Sequence, residues 1–382
     1  ILVISQYFYP ENFRINDLCY GLRDRGHDVK VLTGKPNYPK GKLYDGYNFF
    51  NRRSEVINGI PVYRSNLIPR GKGSGVRLFI NYISFVLFGF IKLFFIKGKF
   101  DRVFVYAPSP ITVGYLGVFA SWRFRTKSYL WVHDLWPESV KDAGGVNNKI
   151  ILSLINIMTK SIYYFYDKIL VQSPSFKDYI VNQGVNQSKI IYYPYYAESY
   201  YNVVVPKPKI KQMFPQGLNI VFAGNIGVAQ SFDTIISAVK IVSEKIDDFT
   251  LTVLGEGRDK ERIIDKIDSL NLNNHFKFLG SFPPEEMSDF FACADALLVT
   301  LKKTKIFSMT IPGKLQSYLA CGKPVIASLD GIGAKIIEES SCGYSTPSED
   351  SKGLAESIIT FQQLSIEDRS RFGINARKYF EK

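Results

Sequence analysis

The segment 312–325 reads Pro-Gly-Lys-Leu-Gln-Ser-Tyr-Leu-Ala-Cys-Gly-Lys-Pro-Val and has residues suited to anion chemistry. Its first proline suits the first turn of a helix, and its second glycine with the following proline ends one. Gly313 and Lys314 would place free backbone N–H groups and a cation at the positive end of that helix. Such a site suits a nucleotide diphosphate, although an ordinary surface helix is the alternative explanation.

Two glycine-containing loops follow predicted strands in the same half of the chain. The first is Gly224-Asn225-Ile226-Gly227, which leads into a helical pattern, and the second is Gly255-Glu256-Gly257. A strand, a glycine turn and a helix start form the arrangement in which backbone amides approach a phosphate. A plain tight turn is the more frequent explanation for each loop alone.

A third polar loop, Trp131–Glu138, follows a strand in the first half of the chain and contains His133 and Asp134. The histidine is a candidate to carry a proton or to hydrogen-bond a sugar or phosphate, with Asp134 as its neighbour. A structural histidine is the alternative. The first loop, Gln6–Arg14, mixes aromatic and charged side chains, and we expect it at the same rim.

Short apolar runs that alternate with helical stretches predict two α/β units with parallel sheets covered by helices. The predicted strands are Ile1–Ser5, Val29–Thr33, Val62–Ser65, Val103–Ala107, Tyr129–Val132, Ile169–Gln172, Asn219–Ala223, Thr250–Leu254, Phe276–Leu279, Ala296–Thr300 and Val325–Ser328. Two doubly wound, Rossmann-like domains that face each other across a cleft would bring their ligand-binding edges together.

The proline-rich stretch near the middle of the chain predicts a link between these domains. We assign residues 1–199 to the first domain, 200–216 to the linker and 217–360 to the second domain. The last helical stretch, 361–382, is expected to pack back on the first domain. The glycine-rich segment 71–75 lacks the P-loop pattern and is interpreted as a flexible connection.

The positive charge is concentrated in the first half of the chain. Residues 1–200 hold 26 Lys and Arg against 13 Asp and Glu, whereas residues 201–382 hold 22 of each kind. The apolar run 78–91 lies between Arg77 and Lys92 and is too short for a bilayer span of about 20 residues. We therefore predict a buried or membrane-surface helix beside a basic face that attracts anionic lipids. No nucleic-acid motif accompanies the charge, so nucleic-acid binding is not expected.

The four cysteines are far apart in the sequence and indicate neither a disulfide framework nor a zinc site, which fits a reducing cytoplasm. No signal-peptide pattern is visible. The chain opens inside an apolar run and closes inside a helical pattern, so we expect a few further residues at each end.

Taken as a set, the motifs resemble those of retaining family 4 glycosyltransferases of the GT-B fold. The motifs are Ile4–Asp17, Arg25-Gly26-His27, His133–Glu138, Gly224–Gly227 and the segment 312–325. The likeness is strongest to bacterial O-antigen and capsule enzymes, in particular N-acetyl-L-fucosamine transferases. It implies a nucleotide sugar in the C-terminal domain, an acceptor on the N-terminal domain, stereochemical retention and no metal or other cofactor.

The sequence departs from the family pattern at the donor site. The family commonly has two glutamates eight positions apart, and Met309 and Ser317 stand at those positions. Its usual arginine and lysine in the first loop of the C-terminal domain correspond to Asn225 and Gln230. Lys314 is therefore the leading candidate for the phosphate cation. The weaker candidates are Lys302, Lys303, Lys305 and Arg258.

The residue roles follow from the loops and the resemblance together. The candidates for catalysis are His133 and Lys314. The donor-binding candidates are Gly224, Asn225, Gly227, Gly255, Glu256, Arg258, Gly313, Lys314, Leu315, Gln316 and Ser317. The acceptor-binding candidates are Tyr9, Glu11, Asn12, Phe13, Arg14, Asn16 and Asp134.

The expected activity is transfer of a sugar from a UDP-sugar to a saccharide linked to undecaprenyl diphosphate, on the inner face of the cell membrane. Two alternatives remain at this point. A sugar-nucleotide 2-epimerase can share the two-domain architecture, although a soluble substrate gives the basic, apolar first half no purpose. A non-catalytic peripheral membrane protein would account for the missing glutamates.

Overall fold

Runs of β-branched and aromatic residues form the strands, and amphipathic stretches between them form the covering helices. The computed structural model describes residues 1–71, 75–142 and 145–382. Its contacts divide the chain into two units, Ile1–Pro194 and Tyr195–Lys382. The predicted connection at 71–75 includes residues 72–74, which lie outside the described part.

The strands are β1 (Leu2–Ser5), β2 (Lys30–Gly34), β3 (Ser54–Ile57), β4 (Ile60–Ser65), β5 (Arg102–Ala107), β6 (Lys127–Val132), β7 (Lys168–Val171), β8 (Ile190–Tyr192), β9 (Leu218–Ala223), β10 (Phe249–Leu254), β11 (Phe276–Gly280), β12 (Ala296–Thr300), β13 (Val325–Ser328) and β14 (Gly343–Thr346). The helices of the first unit are α1 (Arg14–Asp24), α2 (Gly75–Phe95), α3 (Gly114–Phe124), α4 (Glu138–Asp142), α5 (Lys149–Phe165) and α6 (Pro174–Asn182). Those of the second unit are α7 (Pro208–Lys211), α8 (Phe232–Ser243), α9 (Lys260–Ser269), α10 (Met287–Ala292), α11 (Lys305–Met309), α12 (Gly313–Ala320), α13 (Ile332–Ser340), α14 (Ser351–Gln363) and α15 (Ile366–Phe380). Short 3₁₀ turns occupy Ile111–Val113, Gln187–Lys189, Val228–Gln230, Asn273–His275 and Pro284–Glu286.

The first unit contains an eight-stranded sheet in the order β3-β4-β2-β1-β5-β6-β7-β8. Every neighbouring pair is parallel except the β3–β4 pair, which is antiparallel. The central strand β1 pairs with β2 on one side and with β5 on the other, and Ile4 stands opposite both Leu32 and Val105. The chain order reverses at this strand, so the crevice outside its carboxyl end is the expected ligand position.

The second unit repeats this plan with a six-stranded parallel sheet in the order β11-β10-β9-β12-β13-β14. The central strand here is β9, which is buried along its whole length between β10 and β12. Two buried apolar clusters cover the two faces of the sheet. The predicted pair of Rossmann-like parallel sheets is confirmed.

Helix α2 contains the apolar run that the sequence analysis singled out. The helix is 21 residues long, so the expectation that the apolar run is too short for a bilayer span of about 20 residues is corrected: the helix extends beyond 78–91 at both ends. By length and composition it is able to cross a membrane, and it is the one such helix among the residues described. One third of its apolar window is buried, through a face that includes Phe85 and Leu93. The remaining face carries exposed apolar side chains.

The region around the predicted linker is part of the second unit from Tyr195 onward. Residues 208–211 form the short helix α7, and Ile210 is buried in the second unit's apolar cluster. The C-terminal helix α15 packs on α12 of its own unit, where a Cβ atom on Gly373 would lie 2.4 Å from the Gly322 carbonyl oxygen. Its packing on the first domain stays a prediction.

Candidate active site

Two loops of the second unit pack directly on each other at the carboxyl ends of β9 and β10. The Gly224 N–H donates to the Leu254 carbonyl oxygen (2.9 Å), and the Ile226 N–H donates to the Glu256 carbonyl oxygen (2.9 Å). A Cβ atom on Gly255 would lie 1.9 Å from the Gly224 carbonyl oxygen, so only glycine fits there. The two predicted glycine loops therefore form one backbone surface.

Helix α12 starts and ends as the sequence predicts, with Pro312 before its first residue and Gly322 in a left-handed conformation after its end. It carries Lys314 to the glycine loops. The Lys314 Nζ donates to Gln230 Oε1 (2.8 Å) and lies 3.8 Å from the centre of the Phe222 ring. It would lie 3.3 Å from a Cβ atom on Gly224. The structure thus brings Lys314, Gly224 and Gln230 together.

The environment of Lys314 is unusual for an ammonium group because both of its near contacts are uncharged. Burial lowers the pKa of Lys314 from 10.5 to about 7. A phosphate placed beside Gly224 would stabilise the protonated form and raise that pKa again. The arrangement is therefore suited to bind an anion.

The other predicted residues of α12 do not all face this surface. The Leu315 side chain is fully buried in the core, and the backbone N–H of Leu315 donates to the Pro312 carbonyl oxygen (2.9 Å). Ser317 is also buried, so its hydroxyl does not stand in the open as a substitute for the family's glutamate. Gln316 is partly buried. The predicted roles of the Leu315 and Ser317 side chains are thus weakened by where those side chains lie.

Around the glycine loops, Asn225, Glu256 and Arg258 are exposed. Glu256 pairs with Lys260 (2.8 Å), which partly neutralises its carboxylate. The loop after β12 supports the loop after β9: Thr300 Oγ1 donates to the Gln230 carbonyl oxygen (2.5 Å). The site accordingly lies where the strand order reverses.

In the first unit, two predicted acceptor residues hold the loops in place. One carboxylate oxygen of Glu11 accepts the N–H groups of Asn37 (2.8 Å) and Tyr38 (2.7 Å). Asn16 accepts the Tyr9 N–H (3.1 Å) and donates to the Glu11 carbonyl oxygen (2.8 Å). Both side chains are buried, and burial raises the pKa of Glu11 to about 7. They shape the rim rather than offer exposed groups to a ligand.

Other predicted acceptor residues are accessible. Tyr9 is half exposed, and Asn12 is exposed. Phe13 stacks on Tyr7 with ring centres 4.6 Å apart and meets Tyr38 at 5.3 Å. The three rings form an aromatic cluster beside the first loop, which is a surface that suits the apolar face of a sugar.

His133 follows β6 and lies between aromatic rings. Its ring centre is 4.3 Å from that of Trp131 and 4.4 Å from that of Tyr106. The backbone N–H of His133 donates to the Ala107 carbonyl oxygen (3.1 Å). Burial, and secondly the charge of Arg14, lower the pKa of His133 well below 6.5, so the imidazole is neutral at neutral pH. Arg14, a separately predicted acceptor residue, is thus close enough for its charge to act on His133.

Asp134 lies next to His133 and has the opposite kind of shift. Burial raises the pKa of its carboxyl group to about 7, and a hydrogen bond from Ser109 opposes that increase. The Trp136 Nε1 donates to the same Ser109 hydroxyl (3.3 Å). A carboxylate with a pKa near 7 is a better proton acceptor at neutral pH than the neighbouring imidazole, whose pKa is lowered by burial.

Metal chemistry has no evident ligand set in the part of the chain that the structure describes: no three His, Cys, Asp or Glu side chains cluster there. The expectation of a metal-independent site stays a prediction. Sequence reasoning missed Phe222 and Tyr318, whose hydroxyl accepts the Ala223 N–H (3.1 Å) and ties α12 to the end of β9. These contacts join residues about 90 positions apart, so no local pattern reveals them.

Two family models match the chain, one for each unit. The model described as "Glycosyl transferase 4-like domain" matches residues 12–195, and the model "Glycosyl transferases group 1" matches residues 207–379. Together they cover nearly all of the sequence.

Curated relatives are similar at low identity. "Probable glycosyltransferase WbjE" from Pseudomonas aeruginosa is 25% identical over 258 residues, which are 63% of this chain and 61% of that protein. "Putative colanic acid biosynthesis glycosyl transferase WcaI" from Escherichia coli K12 is 21% identical over 84% of this chain and 81% of the relative. The chain thus spans less than two thirds of the length of WbjE.

Solved structures share the fold over the entire chain. Sucrose-phosphate synthase from Thermosynechococcus elongatus has a TM-score of 0.75 at 17% identity, with 100% of this chain and 94% of that chain covered. Anabaena Alr3699/HepE in complex with UDP-glucose has a TM-score of 0.69 at 14% identity, with 100% and 94% covered. With one glycosyltransferase model on each parallel α/β unit, the chain belongs to the GT-B glycosyltransferases.

Proposed function

We propose that the protein transfers a sugar, with retention of configuration, from a UDP-sugar to a saccharide linked to undecaprenyl diphosphate. The observation that carries the proposal is the Lys314 ammonium group, held beside Gly224 by the uncharged side chains of Gln230 and Phe222. N-acetyl-L-fucosamine is the candidate sugar, on the resemblance of the motifs to transferases of that sugar. A role in O-antigen or capsule synthesis fits the name of the relative WcaI, which refers to colanic acid biosynthesis.

In this proposal the second unit binds the donor. The diphosphate lies against the loop Gly224–Gly227 and the first turn of α12, where Lys314 supplies the positive charge. Departure of UDP leaves new negative charge on the β-phosphate, and a preorganised cation with backbone N–H groups stabilises it. This is how the site would work without a metal ion. The HepE structure, solved with UDP-glucose, supports a UDP-sugar as the donor.

The first unit binds the acceptor at the edge that carries the aromatic cluster, His133 and Asp134. A proton must leave the attacking hydroxyl group, and its acceptor must be unprotonated near neutral pH. Burial keeps the imidazole of His133 neutral there and raises the pKa of Asp134 to about 7, so both groups are able to accept a proton. The proposal assigns them jointly to the positioning and deprotonation of that hydroxyl.

We place the protein on the inner face of the cytoplasmic membrane. The support is the net positive charge of residues 1–200 and the exposed apolar side chains of α2. The fraction of protein that sediments with anionic liposomes should fall as salt is added, because exposed charges are screened. Equal binding to neutral and anionic vesicles would remove the electrostatic part of this assignment.

The test is incubation with a panel of UDP-sugars, with and without a saccharide on undecaprenyl diphosphate. UDP release together with a lengthened glycolipid, only when acceptor is present, supports transfer. A changed sugar without acceptor indicates an isomerase, and absence of turnover with every sugar indicates a binding protein. The matches to two glycosyltransferase models favour the first result over the other two.

A further inference from the structure

Arg70 lies at the same edge of the first unit and has no part in the assignments above. Its guanidinium group stands 4.9 Å from the centre of the Tyr38 ring, which belongs to the aromatic cluster. Its charge also acts on the hydroxyls of Tyr7 and Tyr82, where it opposes the rise in pKa that burial causes. Arg70 is thus a cation set among aromatic side chains at the mouth of the site.

This cation differs from the nearby Arg64. Arg64 is buried, and its Nε donates to the carboxylate of Glu55 (2.6 Å), so its charge is neutralised internally. Among residues 1–71, 75–142 and 145–382, no ion pair to Arg70 is formed. A guanidinium group without a carboxylate partner remains able to bind an anion with two parallel hydrogen bonds.

The backbone of Arg70 is fixed by a buried network. Its N–H donates to Asn37 Oδ1 (3.2 Å), and the Asn81 Nδ2 donates to the Ile68 carbonyl oxygen (2.7 Å). Gln6 in turn donates to Asn81 Oδ1 (2.8 Å). Asn37 and Asn81 are both fully buried. Arg70 therefore extends from a rigid base, which lowers the entropy cost of binding a ligand.

Helix α2 begins five residues after Arg70 and connects this polar edge to an apolar surface. Its inner face bears Asn81 and Tyr82, and Tyr82 is influenced by both Arg70 and Asp134. Its outer face bears a stripe of exposed apolar side chains, which we call the α2 stripe: Val76, Ile80, Leu87, Ile91 and Phe95. One helix thus borders a site for polar groups on one side and carries a lipid-like surface on the other.

We infer that Arg70 binds the diphosphate group of a lipid-linked acceptor, whose isoprenoid chain lies along the α2 stripe. This inference rests on the proposed function and names the group by which that acceptor is recognised. The chemistry matches at both ends, because a planar guanidinium group suits a diphosphate and an exposed apolar helix face suits a hydrocarbon chain. The saccharide would then extend from the diphosphate toward Asp134.

Farnesyl diphosphate and farnesol are suitable probes, because they share the isoprenoid chain and differ in the diphosphate. Titration of the full chain should give about ten- to a hundredfold weaker binding of farnesyl diphosphate to Arg70→Gln, with farnesol binding unchanged. Arg70→Lys should recover only part of the loss. The control Lys97→Gln removes an exposed charge beyond the end of α2 and should change binding less than about twofold.

The inference is overturned if Arg70→Gln binds farnesyl diphosphate like the wild type, or if it loses farnesol to the same extent. Bulk anionic headgroups are the other source of phosphate. The binding of Arg70→Gln and Lys97→Gln to phosphatidylglycerol liposomes should therefore be weakened to the same extent relative to the wild type. If only Arg70→Gln binds these liposomes more weakly, and Arg70→Gln still binds farnesyl diphosphate like the wild type, Arg70 binds headgroups and the acceptor assignment is wrong.

Transfer assays separate this inference from the proposed function. An Arg70→Gln enzyme with wild-type KM for the glycolipid acceptor would refute the inference and leave the function intact. If farnesyl diphosphate binding depends on Arg70 but the protein transfers no sugar from any UDP-sugar, the inference would stand and the proposed function would be refuted. With both proposals correct, the KM for the glycolipid should rise about tenfold or more, and the KM for the UDP-sugar should not change.

Discussion

The two units have the same central strand order, yet they treat the polar side chains at their carboxyl edges differently. In the first unit, Glu11, Asn16 and Asn37 are buried and hydrogen-bonded to backbone and to one another. In the second unit, Lys314 has only an amide oxygen and an aromatic ring as near partners. One edge is built from buried side chains that hydrogen-bond to the loops, with Glu11 Oε2 left without a partner, and the other is built around a charge that its surroundings do not neutralise.

The difference indicates two kinds of recognition. A buried network of hydrogen bonds fixes the shape of a rim and can orient hydroxyl groups, but it offers little net charge. A partly buried cation without a counterion is costly to the folded state, and an anionic ligand relieves that cost on binding. We expect the second unit to depend on the charge of its ligand at Lys314. In the first unit the network around Glu11 acts through geometry, and the proposed recognition of charge falls to Arg70.

The largest effect is expected at His133, where geometry and protonation both matter. His133→Phe keeps a ring between Trp131 and Tyr106 and removes the ring nitrogens. Turnover should fall about 100-fold or more, because a positioned proton-transfer group contributes about 10²–10⁴-fold. The melting temperature should remain within a few degrees. Unchanged turnover per folded molecule would assign the histidine a structural role.

Lys314 tests the charge dependence of the second unit. Lys314→Met should weaken UDP-sugar binding about ten- to a hundredfold, the range expected for loss of a charge-assisted contact. Lys323→Met is the matched control, since Lys323 is also partly buried, has a pKa lowered by burial and lies beyond the other end of α12. Equal binding of UDP-sugar by the two variants, measured by calorimetry, would show that the assigned site is wrong.

The low pKa of Lys314 gives a pH dependence of the same interaction. In the free protein the ammonium loses its proton above pH 7, so the affinity for UDP should fall by up to about tenfold between pH 7 and pH 8.5. Lys314→Met should show no such fall. A flat profile for the wild type would indicate that another cation holds the diphosphate.

The smallest effect concerns the stability of the first unit. The pKa of Asp134 is about 7 in the folded chain and 3.8 ordinarily, so the folded state binds more protons than the unfolded state between these values. The free energy of unfolding should therefore decrease as pH rises from about 4 to 7. Asp134→Asn should reduce that decrease by on the order of 1 kcal/mol in urea titrations. Glu11, whose pKa is also raised, should account for part of the rest.

The sequence predicts much of this fold because the interior strands are continuous apolar runs. All eleven predicted strands are present, with small shifts at their ends. It does not predict β3, β8 and β14, which are short edge strands. The β14 segment Gly-Tyr-Ser-Thr has no apolar run, and its pairing with β13 alone makes it a strand.

The site was predicted where its signals are local. The glycine loops and Lys314 are short motifs next to strands or helix ends, and the structure brings them together. The contact between Lys314 and Gln230 joins residues 84 positions apart, and the network that fixes Arg70 includes a contact between Gln6 and Asn81, 75 positions apart. Contacts of this kind depend on the packed fold, so pattern reasoning does not reach them.

The close packing of the two glycine loops has a consequence for how donor preference can change in this lineage. A Cβ atom on Gly257 would lie 1.9 Å from the Ile226 carbonyl oxygen, and a Cβ atom on Gly255 would lie at the same distance from the Gly224 carbonyl oxygen. Gly255 and Gly257 therefore have no room for a side chain, and we expect selection to remove substitutions there before they affect sugar specificity. Variation among homologous enzymes that use different sugars should concentrate instead on neighbouring exposed positions, such as Lys303 and Lys305.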